Sequence, residues 1–414
     1  MSISLDSLMN FGLRGLTQLA RLVITLIVAR FLGIADLGLY RMFSIYSDYA
    51  KQLNGLSFHT FLVRELHHHP REEWPALFSR TVRFHAVWSG LGLAIWIALF
   101  LAGLLPWWTA VAFLVTVASD ILNTTIENYL VAAGRAVAAG VVLFIRQGLW
   151  VYLLALFLLV GNARIDLQTL LVAWSAGTVL AVISGLVTLW RNGLASSRRV
   201  SHDAAWERQG VKTGLLFTFV GFLLYVVTTS PTIILGMLAT DADVGILTFF
   251  FTAFSTVGTL VYASVIALSL PALLAQHAEG DPVARDATYR AVVKNSLILT
   301  VVLTLAVAAI LPLLVRIVNQ PELTRHIAVA LCCAIGGILF SLSQLPYLRL
   351  YVVGDDRGLF WTVGATAILS IALGVVSIHQ WGLIGAAASL IANHAVLCLA
   401  LLWRNRAHVV AGSD

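Results

Sequence analysis

An all-α polytopic membrane protein, with about twelve transmembrane helices in two six-helix lobes, is the fold this sequence predicts. Three observations carry that reading. Of the 414 residues, 59% are hydrophobic and only 11% charged, and the mean hydropathy is +0.90. Apolar runs of about 20 residues, enough to cross about 30 Å of hydrocarbon at about 1.5 Å per residue, recur along the whole chain. A short turn motif also appears twice, half a chain apart. Such a composition lies far outside that of a water-soluble domain.

The first two spans run from Leu8 to Phe31 and from Leu39 to Val63. Both carry charge near mid-span. Arg14 and Arg21 are seven residues apart and share a helix face, while Arg41, Ser44, Asp48 and Lys51 fall within one arc of the second helix. A charge at mid-bilayer costs about 2.5–3.5 kcal/mol even on the lenient insertion scale, so Arg21, Asp48 and Lys51 should face a polar cavity or one another. Arg14 and Arg41 are close enough to helix ends to snorkel toward headgroups. Asp48 and Lys51, three apart, also suit a structural pair, whereas Arg21 has no acidic residue on its own helix.

Further spans follow at His85 to Leu105, Trp107 to Thr125, Ala138 to Val160, Leu167 to Trp190, Gly214 to Leu235, Gly245 to Pro271, Val292 to Val315, Ile327 to Leu348, Phe360 to Ile378 and Gly382 to Trp403. The fourth carries Asp120, Asn123, Thr124 and Glu127 as one polar stripe, with Asp120 expected deep and Glu127 near water. These carboxylates are candidates for ion coupling or for countering the arginines. The fifth carries Arg146 and Gln147 inside its apolar run, where Arg146 suits either a phosphate contact or an ion pair with Asp120. Pro231, Pro312 and Pro346 fall in or near spans, where proline kinks a helix.

Lys and Arg are distributed about four to one between alternate sets of loops. The richer set holds Arg64, Arg71, Arg80, Arg83, Arg135, Arg191, Arg198, Arg199, Arg208, Lys212, Arg285, Arg290, Lys294, Arg349, Arg357, Arg404 and Arg406; the poorer holds Arg30, Arg164, Arg316 and Arg325. That bias predicts cytoplasmic N- and C-termini. The net charge of +6 is therefore topological, and its dispersal argues against nucleic acid as a partner. The N-terminus lacks the pattern of a cleaved signal peptide, so the first helix is expected to be retained. No loop is long enough for a soluble catalytic domain.

Residues 1–195 form the expected N-terminal lobe, 196–212 a cytoplasmic linker and 213–414 the C-terminal lobe. At an offset of 207 residues, Ala35-Asp36-Leu37-Gly38 matches Ala242-Asp243-Val244-Gly245. Parallel repeats of this kind build alternating-access transporters with substrate held between halves. The offset maps Arg21, Arg41, Asp48 and Lys51 onto Thr228, Thr248, Ser255 and Gly258. The polar cavity is thus expected to be lopsided, cationic in the N-terminal half.

Several tempting motifs take bland readings. Gly33 to Gly38 lacks the spacing and the Lys-Ser/Thr ending of a phosphate loop and suits a tight turn with close packing. His67 to His69 lie on a solvated loop among Arg71, Glu72 and Glu73, so no metal is expected. Cys332, Cys333 and Cys398 lie in apolar runs as small core residues. His379, Asn393 and His394 suit helix–helix hydrogen bonds. No constellation for hydrolysis or electron transfer is present, and no cofactor is expected.

The run Val28-Ala29-Arg30-Phe31-Leu32-Gly33-Ile34-Ala35-Asp36-Leu37-Gly38-Leu39-Tyr40, followed by Leu62-Val63-Arg64-Glu65, resembles the N-terminal signature of Wzx-type polysaccharide flippases. These belong to the multidrug/oligosaccharidyl-lipid/polysaccharide (MOP) exporter superfamily. A weaker echo spans Ile234 to Leu247. The resemblance implies a non-enzymatic, V-shaped pair of lobes in the bacterial inner membrane. Its cargo would be an isoprenoid (undecaprenyl) pyrophosphate-linked oligosaccharide, flipped from the cytoplasmic to the periplasmic leaflet for O-antigen, capsule or exopolysaccharide synthesis. Membrane lipids, and the polymerase and chain-length proteins of the same pathway, would be its partners. In such flippases a cationic cavity holds the pyrophosphate. By type and placement Arg21, Lys51 and Arg146, with Arg41 and Asp48 nearby, suit substrate binding here, and Asp120 and Glu127 suit ion coupling. Tyr46, Tyr49, Asn54, Trp88 and Tyr262 suit glycan contacts. The alternatives are a MATE-like cation-coupled drug exporter, which Asp120 keeps open, and a membrane glycan polymerase or ligase, which should carry a large periplasmic loop.

Overall fold

A computed structural model describes residues 5–66, 68–103, 105–161, 165–195 and 203–411. His67, Arg164, Arg198 and Arg199 lie outside the described residues. Among those described, every regular element is helical.

In the N-terminal half these are α1 (Leu5–Ile27, continued by a π turn Val28–Leu32), α2 (Ile34–Gly55), α3 (Phe58–Leu66), α4 (Trp74–Leu101) and α5 (Ala110–Ala132). After them come α6 (Ala136–Phe144) and α7 (Trp150–Gly161), joined by a π turn Ile145–Leu149, and then α8 (Leu167–Arg191). The C-terminal half comprises α9 (Ala204–Leu238), α10 (Asp241–Val261), a π turn Tyr262–Ile266, α11 (Ala267–Ala278), α12 (Pro282–Val318), α13 (Pro321–Arg325), α14 (Ile327–Val353) and α15 (Asp356–Ala411).

Among the described residues, ten segments are long and apolar enough to span a membrane. α2 falls outside that ten because Asp36, Arg41, Asp48 and Lys51 lower its hydropathy, yet its 22 residues are long enough to cross. The last segment is two helices. Gly382 has φ 54° and ψ −129°, and a Cβ on Gly385 would run into the carbonyl oxygen of Ser377. Those two residues would stand about 12 Å apart along an unbroken helix, so the chain folds back at Gly382. Gly382→Ala forces a Cβ into a backbone conformation that costs about 1–3 kcal/mol. Thermal unfolding in detergent should show a clear loss for this variant and little for Gly90→Ala, whose new methyl meets open space; equal losses would contradict this.

The second expected span divides in two. α2 ends at Gly55, Leu56 and Ser57 turn the chain with φ 46° and 44°, and α3 resumes at Phe58. At the repeat offset this break coincides with the π turn between α10 and α11, so the halves share an interruption as well as a motif. The repeated motif is itself mostly helix. Gly33, at φ 117°, is the turn, and Ile34 to Gly38 form the first turn of α2. The second copy starts with Thr240, whose hydroxyl accepts from the Asp243 amide while the Asp243 carboxylate accepts from the Thr240 amide, a capping box.

Chain packing separates two compact units, Met1–Ile24 with Phe43–Phe222, and Thr25–Met42 with Leu223–Asp414. Thr25–Met42 is fastened to the C-terminal half by Arg30 Nη1 donating to Ile317 O (3.1 Å) and Gln320 Nε2 donating to Ala29 O (3.3 Å). Within this second unit the two motif copies cross. A Cβ on Gly38 would overlap Asp241 O, and one on Gly245 would overlap Ile34 O. Ile34 and Asp241 are themselves repeat equivalents, so the contact is reciprocal. The missing side chains let two helix starts meet backbone to backbone.

The first unit centres on Phe58, Phe61, Phe84, Tyr129 and Trp206, all buried. Phe58 stacks on Phe84 with ring centroids 4.0 Å apart, and Tyr129 Oη donates to Leu194 O (3.1 Å), which satisfies its buried polar end.

Candidate functional site

In the first unit, α2, α5 and the π turn between α6 and α7 bring five ionisable side chains together. The stripe on α5 repeats at i, i+4 and i+7, which puts Asp120, Thr124 and Glu127 on one face. The π turn inserts one extra residue per turn at Ile145–Leu149, and there Arg146 is buried at 7% exposure. Its Nε stands 3.3 Å from Glu127 Oε1, and its Nη1 donates to Thr124 Oγ1 at 3.3 Å. On α2, Lys51 Nζ donates to Asp48 Oδ1 at 2.5 Å.

The two pairs form one electrostatic cluster. The carboxylates acting on Arg146 are Glu127 first, then Asp120 and Asp48. Those acting on Lys51 are Asp48 and then Asp120, with Arg146 opposing. Asp120 Oδ1 is buried with no hydrogen-bond partner among the described residues. Arg21 Nη2 donates to Gln147 Oε1 at 3.1 Å, next along the π turn from Arg146, and Arg14 also acts on Glu127.

Asp48, Lys51, Asp120, Glu127 and Arg146 are thus assembled, with Arg21 at their edge. Arg41 is not among them. It belongs to the segment packed in the second unit and makes no hydrogen bond or ion pair among the described residues. Two expectations change in detail. The direct partner of Arg146 is Glu127, not Asp120, and Glu127 is half-buried beside it instead of lying in water. The cluster is also of mixed charge, because three carboxylates stand beside Lys51 and Arg146. His69, on the loop, sits 2.8 Å from Glu73.

The second unit has a contrasting cavity of about 420 Å³, lined by Thr228, Tyr262, Phe340, Ser343, Gln344, Tyr347, Tyr351 and His394 among others. Among the described residues, no Asp, Glu, Lys or Arg lines it. Thr228 is the repeat equivalent of Arg21, so this neutral cavity occupies the counterpart of the charged cluster. Asn393 bridges helices as expected, its Nδ2 donating to Val227 O at 2.9 Å. His394 does not. Its Nδ1 lies 2.8 Å from Leu390 O of its own helix, and its Nε2 is buried without a partner. Since Nδ1–H donates to the carbonyl, Nε2 is left as an acceptor, and a ligand there must bring a donor. Gln344, Tyr347 and Tyr351 were not among the expected site residues. Their spacing of three and four in an apolar span was the available signal, one polar face on α14.

Comparison with known proteins joins this geometry to a lineage. No curated protein sequence matches. Among solved structures, the chain resembles the lipid II flippase MurJ in an inward closed conformation, at 12% identity and a TM-score of 0.67, with 97% of this chain and 87% of that one covered. It also resembles an outward-facing multidrug resistance MATE family transporter of the MOP superfamily, at 13% identity and a TM-score of 0.65, with 99% and 95% covered. The MATE transporter ClbM in complex with Rb+ gives 13%, 0.59, 97% and 92%. At such identities these likenesses show the fold alone, the one these MATE transporters and the MurJ flippase have. A sequence-family profile described as polysaccharide biosynthesis protein matches residues 6–277, two thirds of the chain, which includes the charged cluster and both copies of the repeated turn. The chain is a multi-pass membrane protein that belongs to the polysaccharide biosynthesis protein family.

Proposed function

We propose that this protein is a Wzx-type flippase. It moves an isoprenoid pyrophosphate-linked oligosaccharide from the cytoplasmic to the periplasmic leaflet of the bacterial inner membrane, with both termini cytoplasmic. It does so without enzymatic chemistry, by alternating access of two lobes. The observation that carries the reading is the presence of a charged cluster centred on the buried Arg146 in one unit and of a neutral, tyrosine-rich cavity in the other. A lipid-linked glycan has the matching division, an anionic diphosphate and uncharged hydroxylated rings. Family membership and the shared fold of a lipid II flippase support it.

Arg146 and Lys51 would hold diphosphate oxygens, with Arg21 at the entrance. Guanidinium pairs strongly with phosphate oxygens where water is sparse. Charge balance then dictates coupling. A diphosphate adds negative charge beside Asp48, Asp120 and Glu127, and the like-charge repulsion is relieved when Glu127 takes up a proton. Protonated Glu127 lets go of Arg146, which frees the guanidinium for phosphate. Flipping of a fluorescent polyprenyl-pyrophosphate glycan in reconstituted vesicles should therefore rise from pH 8 to pH 6, and Glu127→Gln should flatten that dependence. An unchanged profile in Glu127→Gln would remove Glu127 from the coupling.

The second reading is a cation-coupled drug exporter, favoured by the unpartnered Asp120 Oδ1 and by the fold shared with MATE transporters. Efflux of an organic cation by the same vesicles, with no flipping of the glycolipid, would select it.

A further inference from the structure

A second basic feature belongs to the second unit. In the second unit, α12 and the end of α14 enclose an open pocket of about 680 Å³ lined by Asp286, Tyr289, Arg290, Val293, Lys294, Leu297, Ile298 and Arg349. Arg349 is held across it, with Nη2 3.7 Å from Asp286 and the guanidinium 5.4 Å from the Tyr289 ring centroid. Arg290 and Lys294 are different. They are exposed, one helical turn apart, and make no ion pair or hydrogen bond among the described residues.

Below these two cations the same helix face turns apolar. Leu297, Ile298, Val301 and Leu305 are exposed at 44%, 54%, 55% and 65%, at spacings that continue the line from Arg290 and Lys294. The rise from Lys294 to Arg316 near the other end of α12 is about 33 Å, close to the thickness of a hydrocarbon core. Lys294 and Arg290 therefore stand at headgroup level, and the exposed track runs beside acyl chains.

We propose that this pocket binds one anionic phospholipid. Its phosphate sits between Arg290, Lys294 and Arg349, and an acyl chain lies along Leu297, Ile298 and Leu305. Charge complementarity names the occupant. Three cations, Arg290, Lys294 and Arg349, line the pocket with one carboxylate, Asp286, an excess of positive charge that an anionic headgroup reduces and a zwitterionic one leaves unchanged. A bare phosphate would not use the apolar track. A merely solvated basic face would not open onto a lined pocket.

The test is thermal unfolding of the purified full chain in dodecyl maltoside, with added dioleoyl phosphatidylglycerol, dioleoyl phosphatidylcholine, inorganic phosphate or undecaprenyl phosphate. Phosphatidylglycerol is expected to raise Tm by about 2–4 °C, and the other three to raise it by less. Arg290→Gln/Lys294→Gln should lose that shift, and Arg290→Lys, which keeps the charge, should retain it. Arg208→Gln/Lys212→Gln removes an exposed pair of the same charge and spacing on α9, and should also retain it. The proposal is overturned if the shift survives in Arg290→Gln/Lys294→Gln or disappears equally in the α9 control. Phosphatidylcholine or phosphate matching phosphatidylglycerol would overturn it too. A response to undecaprenyl phosphate alone would assign the pocket to a polyprenyl carrier instead.

Discussion

Gly38→Ala and Gly245→Ala are each expected to remove most of the folded, monodisperse protein recovered from membranes. At both positions the new Cβ overlaps a backbone carbonyl, Asp241 O for Gly38 and Ile34 O for Gly245. A flexible side chain could swing away, but a carbonyl moves only if the first turn of the opposing helix moves with it. Overpacking of this kind costs about 1–3 kcal/mol even where side chains absorb part of it, and here nothing soft is present to absorb it. The penalty should sit at or above the top of that range, a large share of a typical folding free energy. Gly15→Ala, with nothing within 4 Å of its new methyl, is the control and should leave recovery unchanged. Size-exclusion profiles in detergent settle the comparison. Normal recovery of Gly38→Ala would mean that the helix starts do not meet as closely as described.

The second large effect concerns the pair at the centre of the charged cluster. Glu127→Leu alone is expected to destabilise the protein by about 3–5 kcal/mol, because it strands Arg146 in a buried position. Arg146→Met alone should cost a similar amount by stranding Glu127 beside Asp120. The double variant Glu127→Leu/Arg146→Met should recover most of that loss, since a buried ion pair is commonly replaced by apolar residues at little net cost. The cycle is read by thermal unfolding of all four proteins. Additive losses in the double variant would show that the two side chains act independently, contrary to the 3.3 Å contact.

Much of this was legible in the sequence. Apolar length found the spans because a membrane forces the backbone to satisfy itself within each helix. The polar stripe on α5 and the charges of α2 were visible because ionisable groups are costly in lipid and so stand out. The interruption of α2 at Leu56-Ser57 was not visible, since neither residue type favours a left-handed backbone and tertiary packing imposes it. Nor was the pairing of Arg146 with Glu127 in place of Asp120. Asp120 and Glu127 lie seven residues apart on one face of α5, so helical spacing alone offers Arg146 both, and only tertiary packing selects Glu127. The neutral cavity of the second unit was hidden because tyrosine, glutamine and histidine are tolerated in packed helices without any function.

The most direct test of the account is flipping of a fluorescent polyprenyl-pyrophosphate glycan by vesicles holding either wild type or Glu127→Leu/Arg146→Met. The double variant folds with near wild-type stability on this account, so a loss of activity reports on the site alone. Wild type should flip the lipid, and the double variant should be slower by about tenfold to a hundredfold, the worth of one charge-assisted contact. Equal rates in the two proteins would show that the buried cluster is a structural pair and that the diphosphate is held elsewhere.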